Sequence, residues 1–195
     1  MNLLEQVQQN LGYPTLQKID LTNDNVVEDA QANEADKFGQ AAIPAILTGL
    51  YKYAQTDEGA TEILHATVKD DWIEKLFDTH KKDVIEKIAA YAKQSNENPK
   101  LKMESIADEA IMIVNEQVGK DADAKKIKEF FNTQKNNILQ YLLPTLNIGD
   151  LLNDNTLDDD TNKMEGPVSS LMHSLGNVFG SSTSKEDEIE KEKNL

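Results

Sequence analysis

The sequence predicts an all-α protein, a multihelical bundle. Apolar residues recur three or four positions apart along most of residues 1–152, which is the spacing of residues on one helix face. No stretch of strand length alternates apolar and polar residues, and β-branched residues rarely cluster between turn signals. A chain of 195 residues favours one domain, and 38% of its residues are apolar and available for a core.

The composition divides the chain into four segments. We expect a helical domain at residues 1–152, an acidic loop at 153–167, a short amphipathic helix at 168–180 and a disordered acidic tail at 181–195. The tail has too few apolar residues to offset the entropy lost when a chain becomes ordered. The folded core is therefore predicted to lie in the first segment.

The most apolar stretch of the predicted domain runs from Ala41 to Tyr51 and contains Pro44. A proline inside a helix removes one hydrogen bond and clashes with the preceding turn, at a cost of about 3 kcal/mol. Two interpretations stay open: a kinked helix, or a tight break after which Pro44 opens a new helix. Both predict the burial of four apolar side chains, those of Ile43, Ile46, Leu47 and Leu50.

A second proline segment, from Tyr141 to Gly149, has the same order of residue types. Aligning Pro144 with Pro44 also aligns the glycine that follows each proline. This echo favours two related helical halves, each centred on a Pro-containing apolar helix. The alternative is that two helical segments share common residue types without a common origin.

Capping residues mark the starts of several further helices, because Thr and Asp side chains accept hydrogen bonds from the first free backbone N–H groups. Thr56, Asp70-Asp71 and Asp121 occupy such positions, Gly119 is a stop, and the polar stretch 94–100 predicts an exposed loop. The apolar faces expected inward are Leu3, Leu4, Val7 and Leu11; Ile63, Leu64 and Val68; Trp72, Ile73, Leu76 and Phe77; Val84, Ile85, Ile88, Ala89 and Ala92; Ile106, Ala110, Ile113, Val114 and Val118; and Ile127, Phe130, Phe131, Ile138, Tyr141 and Leu142.

Three segments resemble the YidB-like bacterial proteins of unknown function. They are Met1-Asn2-Leu3-Leu4, the Ala41–Leu50 stretch and Thr56-Asp57-Glu58-Gly59-Ala60, which are similar to the leucine-rich start, the proline core and a helix start of that family. Leu142-Leu143-Pro144 is similar to the second proline motif of the family. The resemblance implies an all-helical fold and no known activity.

The resemblance extends over about residues 1–180 and weakens in its last part. Leu157–Asp160 and Leu175–Gly180 occupy the places of the acidic, glycine-containing loop and the glycine-rich helix of the family. The glycines of that loop are replaced here by Thr161-Asn162-Lys163-Met164, and Pro167 follows Gly166. Ion binding by this loop is therefore not implied.

Charge and composition exclude several classes of function. The formal net charge is -15, from 35 acidic and 20 basic residues, so the chain repels nucleic-acid phosphates and anionic membranes. The absence of cysteine rules out disulfides, zinc–thiolate sites and thiol catalysis. No signal core or transmembrane run is present in the sequence. We expect a soluble, cytoplasmic protein.

The candidate metal sites are weak. An EF-hand loop starting at Asp154 would place Glu165 correctly at its twelfth position, but it lacks the glycine of the sharp turn. A solvated acidic linker is the alternative. Of the three histidines, His65, His80 and His173, His80 lies three positions from Asp83, on the same face if the segment is helical, and a metal site there would need two more ligands.

The sequence predicts no catalytic, cofactor-binding or metal-binding residues. It contains no nucleophile elbow, phosphate loop or dinucleotide fingerprint, and carboxylate pairs such as Asp70-Asp71 and Asp108-Glu109 are common on exposed helix faces. Trp72, Phe77 and the pair Phe130-Phe131 could line a ligand groove, but their helical spacing favours a core, with one ring of the adjacent pair left for a second interface.

The leading functional hypothesis is a non-enzymatic interaction or scaffold protein. It would act through apolar helix faces, by self-association or by binding another protein, without nucleic acid or membrane. The alternative is a small-ligand or weak calcium-binding module. A hydrolase ranks third, and a buried carboxylate pair in a cleft would favour it.

Overall fold

A computed structural model describes residues 1–19, 34–67, 70–93 and 98–154 of the chain. Chain contacts divide the protein after Asp159, so all of these residues belong to the first unit. The predicted helix at 168–180, the predicted tail at 181–195 and most of the acidic loop at 153–167 lie outside the described residues.

The described residues form α-helices and short 3-10 turns, without a strand, so the prediction of an all-α multihelical fold is confirmed. The helices are α1 (Leu3–Asn10), α2 (Glu34–Tyr53), α3 (Asp57–Leu64), α4 (Trp72–Phe77), α5 (Lys81–Ala92), α6 (Pro99–Val118), α7 (Ala124–Leu139) and α8 (Ile148–Leu151), with 3-10 turns at Asp78–His80 and Pro144–Leu146.

Helix α2 is the centre of the fold, and α1, α4, α5, α6 and α7 all pack against it. Every residue from 41 to 50 is buried, and Ile43, Ile46, Leu47 and Leu50 have no exposed surface. The predicted burial of this stretch is confirmed. Of the predicted apolar faces, the described members all belong to the core or pack against it, except the half-buried Ala89.

Pro44 lies inside α2, which continues from Glu34 to Tyr53 without a break. The interpretation in which Pro44 opens a new helix is therefore wrong. One turn later, the buried Thr48 hydroxyl donates a hydrogen bond to the Pro44 carbonyl oxygen at 2.7 Å. Packing on all sides of the helix offsets the hydrogen bond that the proline removes.

Pro144 has a different environment, and the prediction of a Pro-containing helix at this position is wrong. Helix α7 ends at Leu139, and Pro144 begins a three-residue 3-10 turn. The residue before it, Leu143, is extended, which is the conformation favoured before proline. The surrounding side chains are nevertheless buried, with Leu143 at 1% and Leu146 at 2% exposure. The segment closes the core without repeating α2.

Side-chain caps start most of the helices for which a cap was predicted. The Thr56 hydroxyl accepts from the Gly59 N–H and caps α3, and Asp71 accepts from the Glu74 N–H and caps α4. Helix α7 is capped by Asp123, not by the predicted Asp121. The predicted loop at 94–100 is also shorter at its end, because Pro99 already occupies the first turn of α6, where its missing N–H costs nothing.

A buried glutamine on α7 holds the start of α1. Gln134 is 5% exposed, and its Oε1 accepts a hydrogen bond from the Leu3 N–H at 3.0 Å. The same side chain donates through Nε2 to the Met1 carbonyl at 3.3 Å. This pairing satisfies backbone groups at the helix start that have no partner within the helix. Leu3, Leu4 and Val7 are thereby fixed in the core.

Candidate binding groove

An open groove of about 1000 Å³ runs along one face of α6. Its walls are Leu11 at the end of α1, residues 64–67 at the end of α3, Trp72 at the start of α4, and residues 119, 120 and 122 in the connection between α6 and α7. The groove therefore lies where three helix ends meet the side of a long helix.

Helix α6 turns two different faces to its surroundings. Ser105, Asp108, Met112 and Asn115 follow one another at intervals of three or four residues and line the groove, which places them on one side of the helix. The opposite side is buried in the core and comprises Met103, Ile106, Ala107, Ala110, Ile113 and Val114. Met112 is 48% exposed, a large apolar side chain open to solvent in the groove.

The edge of the groove at Trp72 is rigid. The Trp72 side chain has no exposed surface and packs edge-to-face against Tyr53, with 6.3 Å between the ring centroids. The Lys75 ammonium lies 4.8 Å from the centroid of the Trp72 ring, within the range of a cation–π interaction. The indole is thus held on two sides and gives the groove a fixed boundary.

Asn115 joins the two sides of the groove. Its side-chain amide donates to the Ile63 carbonyl at 3.0 Å and so ties the end of α3 to α6. Its Oδ1 is buried and accepts no hydrogen bond from the described residues. A buried acceptor without a donor costs free energy of the order of 1–3 kcal/mol. The groove floor therefore holds an acceptor for which the described chain supplies no donor.

The described residues that line the groove carry more negative than positive charge. Three of them are acidic, Asp108, Glu109 and Glu116, and one is a lysine, Lys120. Glu109 accepts a hydrogen bond from the Asn10 amide at 2.7 Å. Asp108 is exposed, yet partial burial of its carboxylate, helped by the negative charge of Asp70, raises its pKa. No cation within the described residues opposes this effect at Asp108.

A pair of carboxyl groups lies at the start of α4, outside the groove lining. Glu104 on α6 accepts hydrogen bonds from the N–H groups of Trp72 at 2.9 Å and Ile73 at 3.2 Å. Asp71, the cap of α4, contacts Glu104 and also the Lys100 ammonium. Burial, reinforced by Asp71, raises the pKa of Glu104 to about 7, whereas the hydrogen bond from Lys100 lowers that of Asp71 to about 2.

The carboxyl pair has a structural use for its oxygens. Both Glu104 oxygens accept from backbone N–H groups of α4, and the two Asp71 oxygens accept from the Glu74 N–H and from Lys100. Acids at a helix N-terminus are stabilised by the helix dipole and by free N–H groups. The pair therefore fastens α4 to α6, and Trp72 is positioned by it.

The candidate metal ligands named from the sequence are dispersed in the structure. His65 lines the groove, whereas His80 lies beside Asp83, with 3.8 Å between Nδ1 and Oδ2. Within the described ranges, no group of three His, Cys, Asp or Glu side chains is close enough to share a metal ion. Asp154, the first position of the EF-hand candidate, forms an ion pair with Lys52 of α2. Residues 155–165 and His173 lie outside the described residues.

The groove residues Asp108, Met112 and Asn115 were not identified as a site from the sequence. The sequence predicts an exposed helix face for Asp108-Glu109, and Asp108 is exposed in the structure. One signal was available: Met112 lies off the apolar stripe of α6 and is exposed there. The depth of the groove, however, depends on α3 and α1, which no pattern within α6 describes.

Among the helices of the described residues, none is both long and apolar enough to span a membrane. No protein-family model, no curated protein and no solved structure matches the chain.

Proposed function

We propose that this chain is a non-enzymatic interaction protein that binds an apolar segment of another protein in the groove along α6. The observation that supports this most is the exposed Met112 in a groove of about 1000 Å³ whose edge is a rigid tryptophan. Methionine adapts its shape to different partners and is common at surfaces that bind helices.

The placement of the carboxyl groups supports a binding role over a hydrolytic one. A general acid and base must both reach a substrate. The Asp71–Glu104 pair, whose raised and lowered pKa values resemble those of catalytic dyads, does not line the groove and uses its oxygens to hold α4. Asp108 and Glu109 line the groove, but Glu109 is engaged by Asn10.

A small apolar ligand is the second candidate, and the groove volume favours it. Ligand pockets commonly measure about 300–1000 Å³, which includes the volume observed here. Against it stands the openness of the site: Met112 is 48% exposed, whereas small-molecule sites bury most of their ligand. Weak calcium binding by residues 154–165 stays a prediction, with Asp154 already paired to Lys52.

Two further expectations belong to the same proposal. We propose a relationship to the YidB-like bacterial proteins, a family without a known activity, and the similarity of the Ala41–Leu50 stretch supports it. The cytoplasm is the proposed compartment, on the basis that the chain has no cysteine.

The absence of cysteine makes a direct test simple, because a single introduced thiol can carry an environment-sensitive dye. We would label Met112→Cys in the groove and, as a matched control, Leu101→Cys. Leu101 is also an exposed apolar residue of α6, at 63%, but it does not line the groove. Each labelled protein is titrated with amphipathic helical peptides and with a small apolar dye.

We expect the peptides to change the emission of the label at position 112 and not that of the label at position 101. A response at 112 to the small dye alone would support the second candidate. Equal responses at both positions, or no response at 112 to any peptide, would contradict the proposed function.

A further inference from the structure

The proposed function does not specify the chemistry of the partner. The charges around the groove indicate which charge the partner should carry. Among the described residues that line the groove, three are carboxylates and one is a lysine. Asp108 has no hydrogen bond or ion pair with any described residue, and the charged group that acts on it is another acid, Asp70. An added positive charge at this point would be attracted by Asp108 and by the chain as a whole, whose net charge is -15.

The polar positions of the groove are spaced to match a helix. Asp108 and Asn115 are seven residues apart on α6, which corresponds to about 10.5 Å along the helix axis. Met112 lies between them on the same face. A partner helix with a cationic side chain next to an apolar one, three or four residues apart, presents the complementary order of groups.

We propose that the groove binds a basic amphipathic helix, with a lysine or arginine of the partner at Asp108 and its apolar face on Met112. This inference rests on the proposed function and adds the charge of the partner to it.

Four other kinds of occupant are disfavoured on the same grounds. A nucleic acid or an acidic peptide would be repelled by the groove carboxylates. A second copy of this chain brings a net charge of -15 to an acidic surface. A purely apolar ligand would leave Asp108 partly desolvated without a partner, which is unfavourable.

The test uses the unlabelled full chain, which keeps Met112, and three fluorescently labelled peptides with the same apolar face, whose binding is followed by anisotropy. Their polar positions are occupied by lysine, by glutamine or by glutamate. We expect the lysine peptide to bind about tenfold more tightly than the glutamine peptide at low salt, and the glutamate peptide to bind most weakly. The advantage of the lysine peptide should shrink as salt rises, because screening weakens exposed charge pairs.

Asp108→Asn tests the assigned contact. It should weaken the lysine peptide about threefold, the effect of one exposed ion pair, and leave the glutamine peptide unchanged. Glu58→Gln is the matched control, because Glu58 is an exposed acid on α3 that does not line the groove. It changes the net charge by the same unit and should leave both affinities unaltered.

Each remaining outcome has a defined meaning. If all three peptides bind equally and Asp108→Asn has no effect, the inference about charge is wrong while the proposed function survives. If none of them binds, the proposed function fails as well. If the protein labelled at Met112→Cys, without any peptide, shows a concentration-dependent signal that coincides with dimer formation in sedimentation, the occupant is a second copy, and the inference is overturned.

Discussion

Helices α2 and α6 have the same length, 20 residues, and opposite surroundings. Ten consecutive residues of α2, from 41 to 50, are buried. Helix α6 is buried on one side only and lines the groove with the other. A helix that is apolar all round must lie within the core, whereas an amphipathic helix can hold the fold with one face and meet a partner with the other.

The difference assigns separate tasks to two helices of one bundle. Substitutions in α2 should change stability almost wherever they fall. Substitutions in α6 should change stability on the core face and recognition on the groove face. The free energy of unfolding and the affinity for a peptide therefore measure two independent properties of the molecule.

The contrast between α2 and α6 is tested most directly by truncating one side chain in each helix to alanine. Ile46→Ala in α2 removes a side chain with no exposed surface, and we expect a loss of about 3–4 kcal/mol in the free energy of unfolding, since a cavity remains. Met112→Ala in α6 should cost less than about 0.5 kcal/mol, because half of that side chain is already in water. Urea unfolding measures both, and similar losses in the two variants would refute the division.

A smaller effect is expected where α6 holds α4 through Glu104. In the folded chain the pKa of Glu104 is raised from 4.5 to about 7, so the folded state binds this proton more tightly than the unfolded chain does. The free energy of unfolding should therefore fall as pH rises from about 5 to 8. Allowing for solvent screening, the loss is of the order of 1–2 kcal/mol. Asp71 titrates below this range.

Glu104→Gln keeps one oxygen for an N–H group of α4 and a donor for Asp71, without a charge, but it loses the second of the two acceptor oxygens. We expect this variant to be less stable than the wild type at pH 5, to lose less stability than the wild type between pH 5 and pH 8, and so to show a flatter profile. Chemical unfolding at a series of pH values provides the measurement. Glu104→Ala, which loses both acceptors, should be less stable than Glu104→Gln at every pH. Parallel profiles for the wild type and Glu104→Gln would argue against the shared proton.

The smallest effect concerns the tight packing on α2. A Cβ at Gly49 would lie 3.2 Å from Cζ of Phe77 and 3.3 Å from Cδ1 of Leu76, both of which are buried. In an exposed helix, Gly→Ala stabilises by about 0.5–1 kcal/mol. Here the close contacts should cancel that gain and leave Gly49→Ala unchanged or up to about 1 kcal/mol less stable. A clear gain in the thermal midpoint would mean that α4 moves away easily.

The sequence predicted those features that depend on short-range signals. Thr56 and Asp71 were recognisable as caps because each lies just before an apolar face. The choice between Asp121 and Asp123 was not decidable in this way, since both residues have the same capping group. The structure places Asp123 at the start of α7, where its side chain accepts from the Lys126 N–H.

The two prolines show the limit of matching residue patterns. Pro44 and Pro144 both follow apolar residues, but only Pro44 has a complete helix on either side and partners around it. The helical propensity of proline is poor, so tertiary packing decides which of them remains in a helix. Helix α7 ends at Leu139, before the chain reaches Pro144, and Pro144–Leu146 form a separate 3-10 turn.

The groove and the carboxyl pair were beyond prediction for a related reason. The hydrogen bond from Asn115 to Ile63 spans 52 positions, and that from Trp72 to Glu104 spans 32. Contacts of this kind depend on how the helices pack, which local periodicity does not describe. The residue types did not indicate these contacts either, because single Asn and Glu residues are common on the outer faces of helices.

The hydrogen bonds from Gln134 to the first residues can form only late in the synthesis of the chain. Leu3 meets a partner 131 positions further along the chain, and α2 packs against α5, α6 and α7, which are all synthesised after it. At bacterial and eukaryotic rates of about 5–20 residues per second, residue 134 emerges roughly 7–27 s after the first. During that time the apolar faces of the first helices lack the later helices that cover them in the folded protein. A chain released before α7 is synthesised would therefore expose apolar surface and would be a substrate for chaperones and proteases.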